Sequence, residues 1–168
     1  YFVPRYTRVV DTAESKDNIN KAYNLISTSK VRNEMIIDDV ITCVARKQTP
    51  VILTRFKEHA KFLHDALKEK ADHVFLLYGD NSDKENAEIR VKLKQIPENE
   101  SLILVATGQK IGEGFDFPRL DVLMLAAPVS FEGRLEQYVG RLNRDYVGKE
   151  AVYVYDYIDS HVRYFDKM

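Results

Sequence analysis

The sequence predicts an α/β fold, a mainly parallel sheet covered by helices on both faces, preceded by a helical segment. Three observations predict it. Five short stretches are almost wholly apolar, as strands buried on both faces must be. Most are separated by segments whose apolar residues recur at helical spacing. Stop and start signals stand at the boundaries: Thr49-Pro50, the pair Ser82 and Glu85, and Pro97.

Residues 1–14, with Val3-Pro4 and Tyr6-Thr7-Arg8-Val9-Val10, read as a linker or an extended lead-in. A helix is expected over 15–28, where Ile19, Tyr23 and Ile26 share a face. Ser27-Thr28-Ser29 interrupts it, and a second helix runs to about Lys47 with Ile37, Val40, Ile41 and Val44 on one stripe. Val51-Ile52-Leu53-Thr54 is the first strand, and Phe56, Ala60, Leu63 and Leu67 mark the helix after it. Val74-Phe75-Leu76-Leu77-Tyr78 is a strand. Ser82 and Glu85 then form a capping box for a helix carrying Ile89, Leu93 and Ile96. Leu102-Ile103-Leu104-Val105-Ala106 and Val122-Leu123-Met124-Leu125 are strands. A helix follows at about 132–145, and Ala151-Val152-Tyr153-Val154-Tyr155 closes the series. The expected division is a linker and helical segment over 1–48 and one domain over 49–168.

Composition excludes several classes. With 168 residues, 45% apolar and 30% charged, the chain is an ordinary globular one, long enough for a real core. A net charge of −1 excludes a strongly basic arm, so any nucleic-acid contact needs a local patch or a partner domain. The one cysteine, Cys43, excludes an intrachain disulfide and reads as a buried structural thiol in a reducing, cytoplasmic setting. No apolar run approaches the roughly 20 residues that span a bilayer. His59, His64, His73 and His161 have no metal-ligand spacing and read as surface or capping residues. A first residue of Tyr1 rather than Met suggests a piece of a longer protein.

Two segments carry chemistry. In Gln137-Tyr138-Val139-Gly140-Arg141-Leu142-Asn143-Arg144, helical geometry gathers Gln137, Arg141 and Arg144 on one arc and Leu135, Val139 and Leu142 on the other. An apolar back with a paired-arginine front suits a polyphosphate, because guanidinium stays charged and its planar fork matches two phosphate oxygens. The second segment runs from Thr107-Gly108-Gln109-Lys110 to Gly112-Glu113-Gly114-Phe115-Asp116-Phe117-Pro118, directly after a buried strand. Gly108, Gly112 and Gly114 permit close ligand approach, and Asp116 is an acceptor suited to a ribose hydroxyl. No G-x-x-x-x-G-K-[ST] exists in the chain, and Phe117 stands where a dinucleotide fingerprint needs its third glycine.

Together these pieces resemble the superfamily 2 helicases. Val51-Ile52-Leu53-Thr54-Arg55-Phe56 is similar to motif IV, and Leu77-Tyr78-Gly79 with Ser82 and Arg90 to the segment that follows it. Residues 103–118 resemble motif V and residues 137–144 the Q-x-x-G-R-x-x-R form of motif VI, over about 50–157 in the right order. Gln137 stands where the DEAD-box branch usually has histidine, which points towards the DNA-repair and restriction branches. Phe115 replaces the usual leucine or isoleucine.

The resemblance implies a RecA-like carboxyl-terminal lobe, a three-layer αβα arrangement, in an ATP-dependent motor. It implies that Arg141 and Arg144 reach the γ-phosphate of ATP bound between two lobes, with Arg144 as arginine finger and Gln137 orienting Arg141 or the attacking water. Gly112, Glu113, Gly114 and Asp116 would meet the nucleotide, and Mg²⁺ would be held mainly by an N-terminal lobe. Thr54, Arg55, Gly79, Thr107 and Gly108 would touch nucleic acid, DNA in preference to RNA, as a set that reads phosphates rather than bases. Lys57 and Lys110 could add charge. The competing readings are a non-catalytic RecA-like binding or assembly module and an unrelated α/β phosphate binder. The tyrosines Tyr153, Tyr155, Tyr157 and Tyr164 fit a partly buried last strand, or stacking on bases.

Overall fold

The computed structural model describes residues 1–107, 119–128 and 151–166. Its centre is a six-stranded sheet. The strands are β1 (Phe2–Tyr6), β2 (Pro50–Thr54), β3 (His73–Leu77), β4 (Leu102–Thr107), β5 (Val122–Leu125) and β6 (Tyr153–Ile158). They lie in the order β1-β6-β5-β2-β4-β3, and every neighbouring pair is parallel. The helices are α1 (Ile19–Thr28), α2 (Lys30–Ala45), α3 (Lys57–Leu67) and α4 (Asp83–Gln95).

Alternation along β2 shows why both faces are covered. Val51 and Leu53 point into a core shared with Leu104, Leu123, Val154 and Leu93 of α4. Ile52 points the other way, into a core with Ile103, Val105 and Met124, closed by Ile36, Val40 and Cys43 of α2 and Leu63 and Leu67 of α3. Helix α2 is thus part of the same layer as α3. A third cluster joins α1, through Ala22, Tyr23 and Ile26, to Val162 and Phe165 near the carboxyl end.

Local chemistry sets the helix ends. The Asn18 carboxamide oxygen accepts from the amides of Asn20 and Lys21 to start α1, and Ser29 caps α2. Ser82 and Glu85 form the expected reciprocal box at α4. After α2 the chain turns through Lys47, whose φ of 63° is left-handed.

Residues 2–6, expected as a linker or extended lead-in, form a sixth strand, with Phe2 opposite Val154 and Tyr6 opposite Ile158. Its residues alternate between exposed and half-buried, the pattern of an edge strand. Pro4 is tolerated there because an edge leaves one side of the ladder unpaired. The last strand is more deeply embedded than its tyrosines suggested. Tyr155 and Tyr157 are buried in the core, which removes both from base stacking. Cys43 is buried as expected, and burial pushes its thiol above the usual range.

Candidate functional site

Because all six strands are parallel, their carboxyl ends share one edge, where open α/β sheets place ligands. Across that edge stand Thr7, Asp159, Ala126, Thr54-Arg55, Thr107 and Tyr78-Gly79. Strands β5 and β4 flank β2, and Thr54 is the register partner of Thr107.

Thr54 is wholly buried. Its orientation follows from a chain of bonds reaching back into α2. The Asn33 amide N–H donates to the Ser27 carbonyl at 2.9 Å, which turns the Asn33 oxygen towards His59. That oxygen accepts from His59 Nε2 at 2.8 Å, so the ring nitrogen Nδ1 keeps its lone pair and accepts the Thr54 hydroxyl hydrogen at 2.6 Å. His59 is therefore neutral. Its pKa is pushed down to about 3 by burial and secondarily by the positive charge of Arg32. This corrects the expectation that all four histidines are surface or capping residues: His59 is 3% exposed and fixes a strand end.

Arg55 stands on the surface directly after Thr54. Its Nη1 donates to the Tyr23 hydroxyl at 3.0 Å, and its guanidinium lies over the Tyr23 ring at 4.5 Å and over Phe56 at 5.8 Å. Tyr23 is itself wedged against Phe56 and Phe165, with ring centroids 5.5 and 4.9 Å away.

Gly79 is exposed, and a Cβ built there would meet nothing within 4 Å. The packing around it does not require glycine at this position. Asn81 and Asn86 pin the turn around it through the carbonyls of Leu76 and Tyr78, at 2.8 and 3.4 Å. Lys57 is paired with Asp80 at 3.3 Å on the surface, so its charge is partly spent. Thr107 is buried at the end of β4.

A second buried network anchors the other half of the edge. Arg32 Nε and Nη2 donate to both carboxylate oxygens of Asp159, at 2.9 and 3.1 Å, while Nη1 donates to the Ala126 carbonyl. The Thr7 hydroxyl donates to the same carboxylate. The ends of β1, β6 and β5 are thus tied to one guanidinium on α2.

Gly108, Lys110, Gly112, Glu113, Gly114, Asp116, Gln137, Arg141 and Arg144 lie outside the described residues. The described chain reaches these segments from Thr107 and from Pro128, both at the carboxyl edge on either side of β2. Among the described residues no His, Cys, Asp or Glu cluster could hold a metal ion, and no helix is long and apolar enough to cross a membrane.

Sequence reasoning passed over Arg32, Asn33, Asp159 and the role of Tyr23. A signal existed for two of the buried polar residues. Arg32 falls on one helical stripe with Ile36, Val40 and Cys43, and His59 with Leu63 and Leu67. A polar residue on an apolar stripe must find a partner inside.

The strand order and two covered faces define a RecA-like α/β lobe. The chain belongs to the family described as the helicase conserved C-terminal domain, whose model matches residues 31–145. It is 30% identical over 138 residues to Transcript termination protein A18 of Yaba-like disease virus, covering 79% of this chain and 28% of that protein. The chain thus spans under a third of that relative's length. Among solved structures it is similar to UvsW of T4, with a TM-score of 0.69 and 22% identity over 94% of this chain and 31% of that one. It also resembles the Hef helicase domain of Pyrococcus furiosus, with a TM-score of 0.59 and 21% identity over 92% and 33% of the two chains.

Proposed function

We propose that this chain is the second lobe of an ATP-dependent superfamily 2 helicase or translocase acting on nucleic acid, DNA in preference to RNA. The observation that carries the reading is the family match, which spans the glycine-bearing segment after β4 and the whole of the 137–144 segment that holds Gln137, Arg141 and Arg144.

The donor set fits a polyphosphate: two guanidiniums that stay charged, an amide, and a glycine-bearing loop with one carboxylate for a ribose. Both segments are tethered to the carboxyl edge of the same sheet, on either side of β2, which supports their acting at one site. In this reading Arg144 stabilises charge as the γ-phosphate leaves, Arg141 binds that phosphate, and Gln137 orients Arg141 or the water. Gly112, Glu113, Gly114 and Asp116 receive the sugar side of the nucleotide. ATP, when bound, supplies the free energy for movement, and Mg²⁺ is held mainly by an N-terminal lobe.

The nucleic-acid track runs along Arg55, the open backbone at Gly79, and Thr107 with Gly108. Thr54, whose hydroxyl hydrogen is committed to His59, serves as the support beneath Arg55. The viral relative's name adds transcript termination to the DNA-repair and restriction settings that Gln137 suggests.

The test is ATP turnover by the full-length protein that carries this chain, with and without single- and double-stranded DNA and RNA, for wild type and Arg144→Ala. The expected result is stimulation by nucleic acid, DNA above RNA, that falls about 10³-fold or more in the variant while ATP binding persists. Equal turnover in the two proteins would remove the finger role and favour a non-catalytic binding module.

A further inference from the structure

We propose that Tyr23 on α1 is the positioning residue for Arg55, holding that guanidinium at the sheet edge for a nucleic-acid phosphate. The proposal rests on the motor reading above and adds a task for the helical pair that precedes β2.

Arg55 is an exposed cation with a built mount. It stacks on the Tyr23 face at 4.5 Å and gives one N–H to the Tyr23 hydroxyl at 3.0 Å. No carboxylate among the described residues pairs with it. A carboxylate would neutralise the charge, whereas a phenol ring and a neutral hydroxyl hold the side chain and leave the charge in place. Among the described residues one of its five N–H donors finds a partner, which leaves donors for a bidentate approach by a phosphate.

The mount is rigid in turn. Tyr23 is 4% exposed and shares a cluster with Ala22, Ile26, Val162 and Phe165. The backbone beneath Arg55 is held through Thr54, His59 and Asn33 of α2. Ordering a free arginine on binding costs side-chain entropy, and a side chain ordered beforehand avoids that cost. Tyr23 therefore acts on nucleic acid through Arg55 and makes no contact of its own.

The experiment measures nucleic-acid-stimulated ATP turnover and direct DNA binding by the full-length protein across a salt series. The variants are Tyr23→Phe, Arg55→Gln and the double substitution. Tyr23→Phe keeps the ring and its packing and removes only the hydroxyl, so its melting temperature should stay close to wild type. It should raise the half-saturating DNA concentration roughly 2–10-fold, the worth of one hydrogen bond, with turnover at saturating DNA unchanged. Arg55→Gln should weaken binding more and flatten the slope of log K against log salt by about 0.7–0.9, one phosphate contact. The double variant should match Arg55→Gln alone.

Additive losses in the double variant, or a Tyr23→Phe protein equal to wild type, would overturn the positioning role. So would a loss in Tyr23→Phe confined to turnover at saturation or to melting temperature. If Arg55→Gln binds as wild type does, Arg55 is not the contact and the proposal fails while the motor reading stands. If no polymer stimulates the wild-type protein, both fail.

Discussion

Arg32 and Asp159 meet across 2.9 Å with neither side chain accessible to solvent, and they join α2 to the carboxyl ends of three strands. Ala126, one of the groups held, lies just before the segment that carries Gln137, Arg141 and Arg144. Burying two charges is costly, and the arrangement persists because each nitrogen and oxygen of the two charged groups has a partner: Asp159 takes two N–H groups and a hydroxyl, and Arg32 also reaches a carbonyl.

Removing one partner of this pair should therefore be far worse than removing both. Arg32→Met leaves the Asp159 carboxylate buried and unpaired, at a cost of about 3–5 kcal/mol. The double variant Arg32→Met/Asp159→Leu should recover much of that loss. Urea unfolding of the three proteins checks it. A single-variant cost under about 1 kcal/mol would mean that the carboxylate finds water or another donor once the arginine is gone.

Lys47 offers a gain in stability. It follows α2 in the left-handed region at φ 63°, its side chain is exposed, and its amide donates to the Val44 carbonyl at 2.9 Å. A Cβ is disfavoured in that conformation, and helices commonly end there on glycine. Lys47→Gly should stabilise the fold by about 0.5–1 kcal/mol, partly offset by the greater freedom of glycine in the unfolded chain. Paired denaturation curves decide the sign, and a lower midpoint for the glycine protein would mean that the entropic term wins.

The sheet was legible because its strands are buried on both faces. Residues 102–106 and 122–125, like 51–53 and 74–77, are continuous apolar runs bounded by polar residues or turn signals. Strand β1 was not, because an edge strand is exposed at every second residue and here carries a proline. The cap at Ser82 was legible because both partners lie within one turn. His59 was misread for the opposite reason. Its partners are Thr54, five residues away, and Asn33, twenty-six residues away on another helix, so only the folded chain brings the three together. Arg55 could be singled out from its place after a strand, yet Tyr23, thirty-two residues earlier, had no local sign of being its mount.

His59 also makes the fold sensitive to acid. Its pKa is about 3 in the folded chain, against about 6.5 for an unperturbed imidazole in the unfolded one. Between those values the unfolded chain binds a proton that the folded chain refuses, so stability rises with pH across this window and falls as the solution is acidified. At pH 4.5 the loss attributable to His59 is on the order of 2–3 kcal/mol. Asp156 works in the opposite sense, because burial raises its carboxyl pKa and acid favours its folded form. Comparison with a variant separates the two. His59→Gln keeps a polar side chain near Thr54 and Asn33 but does not titrate, so its stability at pH 4.5 should drop clearly less from its value at pH 7 than that of the wild type. Urea unfolding at the two pH values measures this. Equal drops in both proteins would show that the imidazole accepts its proton in the folded state, with the Thr54 hydroxyl turned to accept from Nδ1.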